Sequence, residues 1–356
     1  MRKICFLLFL IFLSVTVSAK TYEVKNRDIK IAVTLYDKNP IISSIQDLKT
    51  GQEFIGDTDR NSTLWTVTLK HKGRFEEMPG YVITPKNAEK TEIIKKGNSL
   101  ILNFYNVRDD EMEEGFFVTC SVSLDKNNSY WDMTVNPGKI YGIWEVAYPF
   151  ISNLDTQNGD CFMIPAQGDV FLREFDSEKG FPDPARQDLV SYTKNYTYGY
   201  PSRMQYSSLT KGRSTLYMCP EDNTVMFKTI SFTTQKPNTM NVNPTYFPAD
   251  MGIGGKKFTL PKPYNIAVIQ GDWFDAAKKY RKWGIDSHYA PFAKGKIEDR
   301  KDLPDWWKNL CWCVRASIDH SYYRTENVID TIKDFKVPPL VHLYSWSIYR
   351  HDTHYP

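Results

Sequence analysis

The chain has 356 residues, 45 Lys and Arg against 42 Asp and Glu, and an aromatic content of 14%. The charges are nearly balanced and interspersed, which leaves no electrostatic footprint for nucleic acid. The length exceeds one ordinary domain, and no apolar run of spanning length follows the N-terminal one, so no integral membrane segment is expected in the mature chain.

Arg2 and Lys3 precede an apolar run from Cys5 to Val17, and Val17-Ser18-Ala19 supplies small residues before Lys20. That order predicts a secretory signal peptide over residues 1–19, and hence a secreted or periplasmic protein. Cleavage removes two basic residues and one of six cysteines. The five that remain (Cys120, Cys161, Cys219, Cys311 and Cys313) are odd in number and, apart from the last two, far apart. They do not form a disulfide framework. Cys311 and Cys313 share one face of a predicted strand and are expected to be buried filler.

From about Thr21 to Ile269 short runs rich in Val, Ile, Tyr, Phe and Thr alternate with turn residues, which predicts strands. Alternation is clear in Ile29–Leu35, Trp65–Leu69, Leu100–Tyr105, Phe116–Val122 and Tyr130–Val135, with later candidates at 214–218, 225–232 and 264–270. So many strands are accommodated most economically by two packed antiparallel sheets. Between Asp155 and Ser208 Pro, Gly, Asp and Tyr dominate. This predicts a long ordered loop. Its Tyr192–Tyr206 aromatics are either a sugar platform or packing against the sandwich.

At Gly271 the period changes. Asp272 is a plausible N-cap, and Trp273, Ala276, Tyr280 and Trp283 recur at helical spacing. A connector runs to Pro304. Leu310–Ala316 and Leu340–Trp346 are apolar and strand-like, with a helix predicted over Glu326–Phe335 between them. Pro338-Pro339 cannot continue that helix. Strand, helix and strand with so short a crossover implies two parallel strands. One such unit cannot cover both faces of a sheet, and a (β/α)8 barrel takes about 250 residues. The chain is therefore expected to be truncated within a barrel, with residues from about 305 onward loosely packed.

Several stretches carry a family resemblance. Gly271 to Trp283 with Lys301-Asp302-Leu303-Pro304-Asp305-Trp306-Trp307, and Tyr200 to Tyr206 running into Gly212 and Leu216-Tyr217, resemble bacterial secreted glycoside-hydrolase-like proteins. Tyr344-Ser345-Trp346, His351-Asp352 and Tyr355-Pro356 look like their loop after the second barrel strand. Such proteins pair a galactose-mutarotase-like β-supersandwich with a (β/α)8 barrel and are distantly related to endo-α-N-acetylgalactosaminidases. The resemblance implies a mainly β chain. Its parts are a signal peptide (1–19), a two-sheet antiparallel supersandwich (20–270), a linker helix and connector (271–304) and the first βαβ unit of an incomplete barrel (305–356). The sequence departs from the pattern where Ser347-Ile348-Tyr349-Arg350 replace the usual aromatic or His positions after Trp346.

Glycoside hydrolysis usually needs two carboxylates flanking the scissile bond, and barrel enzymes project them from the C-terminal ends of strands. The resemblance places the catalytic pair on later strands, so no catalytic residue is assigned. Asp319, His320, Trp346, His351, Asp352 and Tyr355 follow the two strands present and are the candidates for sugar contact. Carboxylates bind hydroxyls strongly, and Trp offers a stacking face; the alternative is that Asp319 and Asp352 only cap loops. No metal is expected, because His351-Asp352-Thr353-His354 lacks a third ligand. Gly252-Ile253-Gly254-Gly255 lacks the Lys-Ser/Thr of a phosphate loop. No cofactor is expected, and the partner is a glycan or polysaccharide. Two functions stay open: the N-terminal part of a secreted glycoside hydrolase, inactive as this fragment, or a non-catalytic carbohydrate-binding protein built on the sandwich.

Overall fold

The structure is a computed structural model. It describes residues 19–71, 80–157, 161–164, 170–172, 191–197, 200–201, 204–224, 226–233, 238–289, 294–310, 312–317, 327, 330, 332–334 and 339–344. The chain divides into two compact units, Met1–Trp283 and Gly284–Pro356.

The first unit is a β-sandwich. Alternation in the sequence becomes alternation of burial. Along Phe116–Asp125 every second side chain from Phe116 to Leu124 is buried and those between are half-exposed, until the strand ends at an exposed Asp125. β-Branched and aromatic residues fit such a half-buried pleated surface. The larger sheet runs Val170–Leu172, Cys161–Ile164, Ser207–Lys211, Ser214–Cys219, Tyr264–Gln270, Asn128–Asn136, Phe116–Asp125, Ser99–Val107, Lys90–Lys96, with Phe258–Thr259 also paired to Asn128–Asn136. The second runs Tyr200–Pro201, Ser191–Thr197, Lys228–Thr233, Thr239–Tyr246, Tyr141–Ala147, Thr66–His71, Tyr81–Ile83, with Ile151–Asp155 paired to Thr239–Tyr246. A three-stranded sheet, Ala19–Lys25, Ile29–Tyr36 and Asn39–Asp47, adds Ile29, Ile31, Val33 and Ile45 to the same core. Rings from opposing sheets meet edge to face, Phe162 with Phe232 at 5.8 Å between centroids. Trp65, just before its strand, meets Phe104 in the same way at 5.2 Å.

The stretch expected to be a long loop from Asp155 to Ser208 departs from that reading. Its described residues include four strands. Ser191–Thr197 pairs antiparallel with all of Lys228–Thr233, so backbone pairing overrides a composition typical of loops. Tyr206 is fully buried and stacks on Tyr217 and Tyr280, at 5.7 and 5.0 Å. It belongs to the packing of the sandwich and not to a sugar platform.

Helix Trp273–Asp286 starts where the sequence predicts. The Asp272 carboxylate accepts the Phe274 N–H at 2.8 Å, while Asp275 reaches back to the Asp272 N–H at 3.1 Å. This reciprocal cap satisfies two of the four amides that a helix start leaves without partners. Ala276 and Tyr280 are buried. The first compact unit runs to Trp283, so most of this helix counts with the sandwich.

In the second unit Trp312–Ser317 and Pro339–Tyr344 pair in parallel, from Trp312 opposite Pro339 to Ser317 opposite Tyr344. Cys313, expected as buried filler, is exposed, as is Val341. The single turn Asp305–Lys308 exposes Trp306 and Trp307.

Candidate functional site

All six predicted sugar-contacting residues, Asp319, His320, Trp346, His351, Asp352 and Tyr355, lie outside the described residues. What the structure gives is the edge they follow. Ser317 and Tyr344 are register partners at the C-terminal end of the parallel pair. Asp319 and Trp346 each come two residues later, within about 8 Å of chain from those partners. In open and closed α/β sheets this end of parallel strands is where ligands bind.

The described residues hold a second constellation that the sequence did not reveal. It sits where helix Trp273–Asp286 meets the outer face of the larger sheet. Register assembles it: Asn265 lies opposite both Tyr130 and Cys219, and Ala267 opposite Asn128 and Tyr217. Just past the end of the strand at Cys219, Glu221 turns back with a positive φ of 45°. From the helix, Lys279 donates to the Asn128 side-chain oxygen at 2.6 Å. The Asn265 amide donates to that same oxygen at 3.2 Å and to Glu221 Oε1 at 2.9 Å. The Tyr217 hydroxyl completes the set at 3.3 Å from Glu221. Lys279 also stands 5.2 Å from the centre of the Tyr217 ring.

An ammonium and a carboxylate are thus joined through two asparagines in a place largely withdrawn from water. Burial drives the electrostatics. It pushes the Glu221 carboxyl above its usual range, against the opposing pull of Asn265, Lys279 and Tyr217. It pushes Lys279 below the usual lysine range, against the pull of Glu221. Burial, with the Glu221 charge second, raises Tyr130 as well. Burial holds the Tyr217 phenol far above its usual value, so it acts as a neutral hydrogen-bond donor. Shifts of this kind mark functional sites and structural ion networks alike. Here the helix covers the cluster and every charged group is bonded to its neighbours. The arrangement therefore acts as a polar clamp holding the helix on the sheet.

Sequence reasoning could not find this clamp. In the sequence Asn128 belongs to a turn signal, Lys126-Asn127-Asn128, and to a formal glycosylation sequon, and Lys279 is one of four basic residues (Lys278, Lys279, Arg281 and Lys282) on the helix face opposite Ala276 and Tyr280. The only available signal was Lys279 one residue before the buried Tyr280. Among the described residues no group of three or more His, Cys, Asp or Glu side chains could hold a metal ion. No described helix is long and apolar enough to cross a membrane.

Comparison with known proteins places this geometry in context. A family described as a domain of unknown function, DUF6259, matches residues 258–356. No curated protein matches. Among solved structures, the α-N-acetylgalactosaminidase NagBb from Bifidobacterium bifidum in complex with GalNAc is 10% identical, with a TM-score of 0.54. The alignment covers 94% of this chain and 53% of that one. The chain thus spans about half the length of that enzyme. A galactose mutarotase related enzyme from Lactobacillus acidophilus is 13% identical, with a TM-score of 0.45, over 71% of this chain and 99% of its own. An α-mannosidase from Enterococcus faecalis is 14% identical, with a TM-score of 0.41, over 73% of this chain and 30% of its own. The chain shares the fold of the Bifidobacterium enzyme across the sandwich and into the parallel strands. That is the resemblance the sequence carried.

Proposed function

We propose that this chain is the sandwich and first barrel strands of a secreted glycoside hydrolase acting on a glycan or polysaccharide. The observation that carries the reading is the likeness to the Bifidobacterium α-N-acetylgalactosaminidase, which runs through both compact units over 94% of the chain. In this reading Asp319, His320, Trp346, His351, Asp352 and Tyr355 line a sugar subsite at the C-terminal edge marked by Ser317 and Tyr344. The catalytic carboxylates belong to further strands, and the chain alone is inactive. The polar clamp fixes the helix that leads from the sandwich toward those strands.

The test is hydrolysis of a panel of aryl glycosides, α-N-acetylgalactosaminide included. This chain is compared with the product of the longest reading frame that contains it. Activity in the longer product, with none in this chain, is the expected result. A longer product that carries a full barrel and cleaves no glycoside or natural glycan overturns the reading. The second reading, a non-catalytic carbohydrate-binding protein, is favoured by one observation: a half-exposed tryptophan, Trp144, with a carboxylate beside it on the outer face of the smaller sheet.

A further inference from the structure

Strand Tyr141–Ala147 is irregular. Its register against Thr66–His71 shifts between Ile143 and Glu145, so that Ile143 faces Leu69 and Glu145 faces Thr68. The residue left in the bulge is Trp144. A bulge re-aims the side chains around it: Tyr141 and Ile143 are buried in the core, so alternation sends Trp144 to the half-exposed face, and the extra residue keeps Glu145 on that face beside it while Val146 returns to the core. Lys70 holds it from one side, its ammonium 3.8 Å from the ring centre. Next to it the Glu145 carboxylate accepts the Thr68 hydroxyl at 3.0 Å.

The glycine-rich stretch that fails as a phosphate loop has its role here. The N–H groups of Gly252 and Gly255 donate to the carbonyls of Ile143 and Tyr141, at 3.1 and 3.0 Å. The turn so fixed lies so close to Gly142 that a Cβ there would stand 2.5 Å from the Gly252 carbonyl. It carries Met251 and Ile253, 40% and 51% exposed, alongside the bulge. Further along the same strand edge Phe247, one residue past the Val146–Tyr246 pair, packs on the exposed Phe227 at 4.9 Å between ring centres. The result is an aromatic and aliphatic surface beside the Lys70 ammonium and the Glu145 carboxylate.

Exposed apolar surface of this kind marks an interaction site. Of the two charged groups that flank the ring one is positive and one negative, which gives no preference for an ionic polymer. A ring face beside a hydrogen-bonding carboxylate fits a ligand that is apolar on one side and hydroxylated at its edge. We propose that Trp144, Glu145 and Lys70 form a binding site for a neutral sugar unit on the outer face of the smaller sheet. The site is built from residues of the sandwich alone. It rests on the reading of the protein as carbohydrate-active and would hold glycan whether or not the protein cleaves it.

The experiment uses the full chain on an array of neutral and charged glycans, followed by titration of the best neutral ligand. The indole N–H resonance of Trp144, identified by its loss in Trp144→Phe, is monitored through the titration. The expected result is that a neutral glycan shifts this resonance. Trp144→Ala and Glu145→Gln each weaken binding at least tenfold with unchanged circular dichroism, and Trp144→Phe retains most of it. Neutral-glycan binding that survives both Trp144→Ala and Glu145→Gln overturns this site while leaving the carbohydrate reading intact. Absence of any glycan binding overturns the site, and the hydrolysis panel then judges the carbohydrate reading separately. Self-association abolished by Trp144→Ala, without glycan binding, assigns the patch to a second copy and overturns the sugar assignment.

Discussion

If the Lys279–Asn128–Asn265–Glu221 relay is a clamp of mutually compensating buried charges, its two ends must be coupled energetically. Replacing Lys279 with Met keeps the stem that packs beside Tyr217, but leaves Glu221 without its cation and the Asn128 oxygen with the longer of its two donors, Asn265. Removing one partner of a fully buried pair costs about 3–5 kcal/mol. Both groups here are only partly withdrawn from water, and solvent screening reduces such terms. The expected loss is about 1–3 kcal/mol, the range for orphaning a charged hydrogen-bonding group. Glu221→Gln keeps an oxygen for Asn265 and Tyr217 and should cost about 0.5–1.5 kcal/mol, the net value of one hydrogen bond. The double variant buries neither charge. Its cost should fall below the sum of the singles by about 1 kcal/mol or more, since residues in one network couple by that order. Urea unfolding of the full chain and its three variants, followed by far-ultraviolet circular dichroism, measures the cycle. At neutral pH each kcal/mol corresponds to roughly 2–4 °C in Tm for a domain of this size. Additivity within about 0.3–0.5 kcal/mol would refute the coupling. The pH dependence supplies a second check. Glu221 has its folded-state pKa raised by burial. It therefore contributes stability that is fully present below its unfolded value and lost as pH rises through the folded one. Glu221→Gln should compare more favourably with the native chain at pH 7.5 than at pH 5. The opposite trend would mean that the carboxylate is not desolvated.

Other expectations concern the frame. Burial alone would raise Asp47, but hydrogen bonds from Ser214, the Lys49 amide, Thr50 and Gln270 outweigh it and hold the carboxyl low. Its stabilisation is present above the unfolded pKa and lost as pH falls through the folded one; Asp47→Asn should flatten the acid limb of a stability-versus-pH curve. Phe104→Ala removes a fully buried ring that meets Trp65 and should cost about 3–5 kcal/mol by urea unfolding. Gly142→Ala drives a methyl group into the Gly252 backbone. It should cost about 1–3 kcal/mol, as overpacking does, and displace the Met251–Ile253 turn, which amide chemical shifts would report. Export by the source cell should yield a mature N-terminus at Lys20, read by intact mass; retention of residues 1–19 would overturn the secretion proposal.

The strands were legible wherever sequence alternation coincided with one buried and one wetter face. Phe116–Asp125 and Asn128–Asn136 follow this pattern, and both were found within a few residues of their ends. Tyr141–Ala147 was missed, and the reason is physical. Its bulge breaks the period of two, Gly142 gives no side-chain signal, and a Gly-rich turn supplies edge partners that usually come from a regular strand. Ser191–Thr197 was missed because Ser, Asn and Lys among its tyrosines look like loop composition. Its strand character is conferred by the pairing with Lys228–Thr233.

The same distinction governs the sites. Carboxylates and aromatics at the ends of predicted parallel strands can be listed from sequence, because the fold rule names the strand end and only the chain order is needed. The clamp cannot be found this way. Its members are spread from Asn128 to Lys279 and meet only through the register of three antiparallel strands and the phase of one helix. A shift of one residue in any of those strands would send Asn128, Tyr217 or Asn265 toward the core, and the chain of bonds from Lys279 to Glu221 would break. The clamp is thus a consequence of the fold before it can be a cause of function. The Trp144 patch follows the same logic, since Glu145 stands beside the ring only because a bulge displaces it from the alternation that the sequence displays.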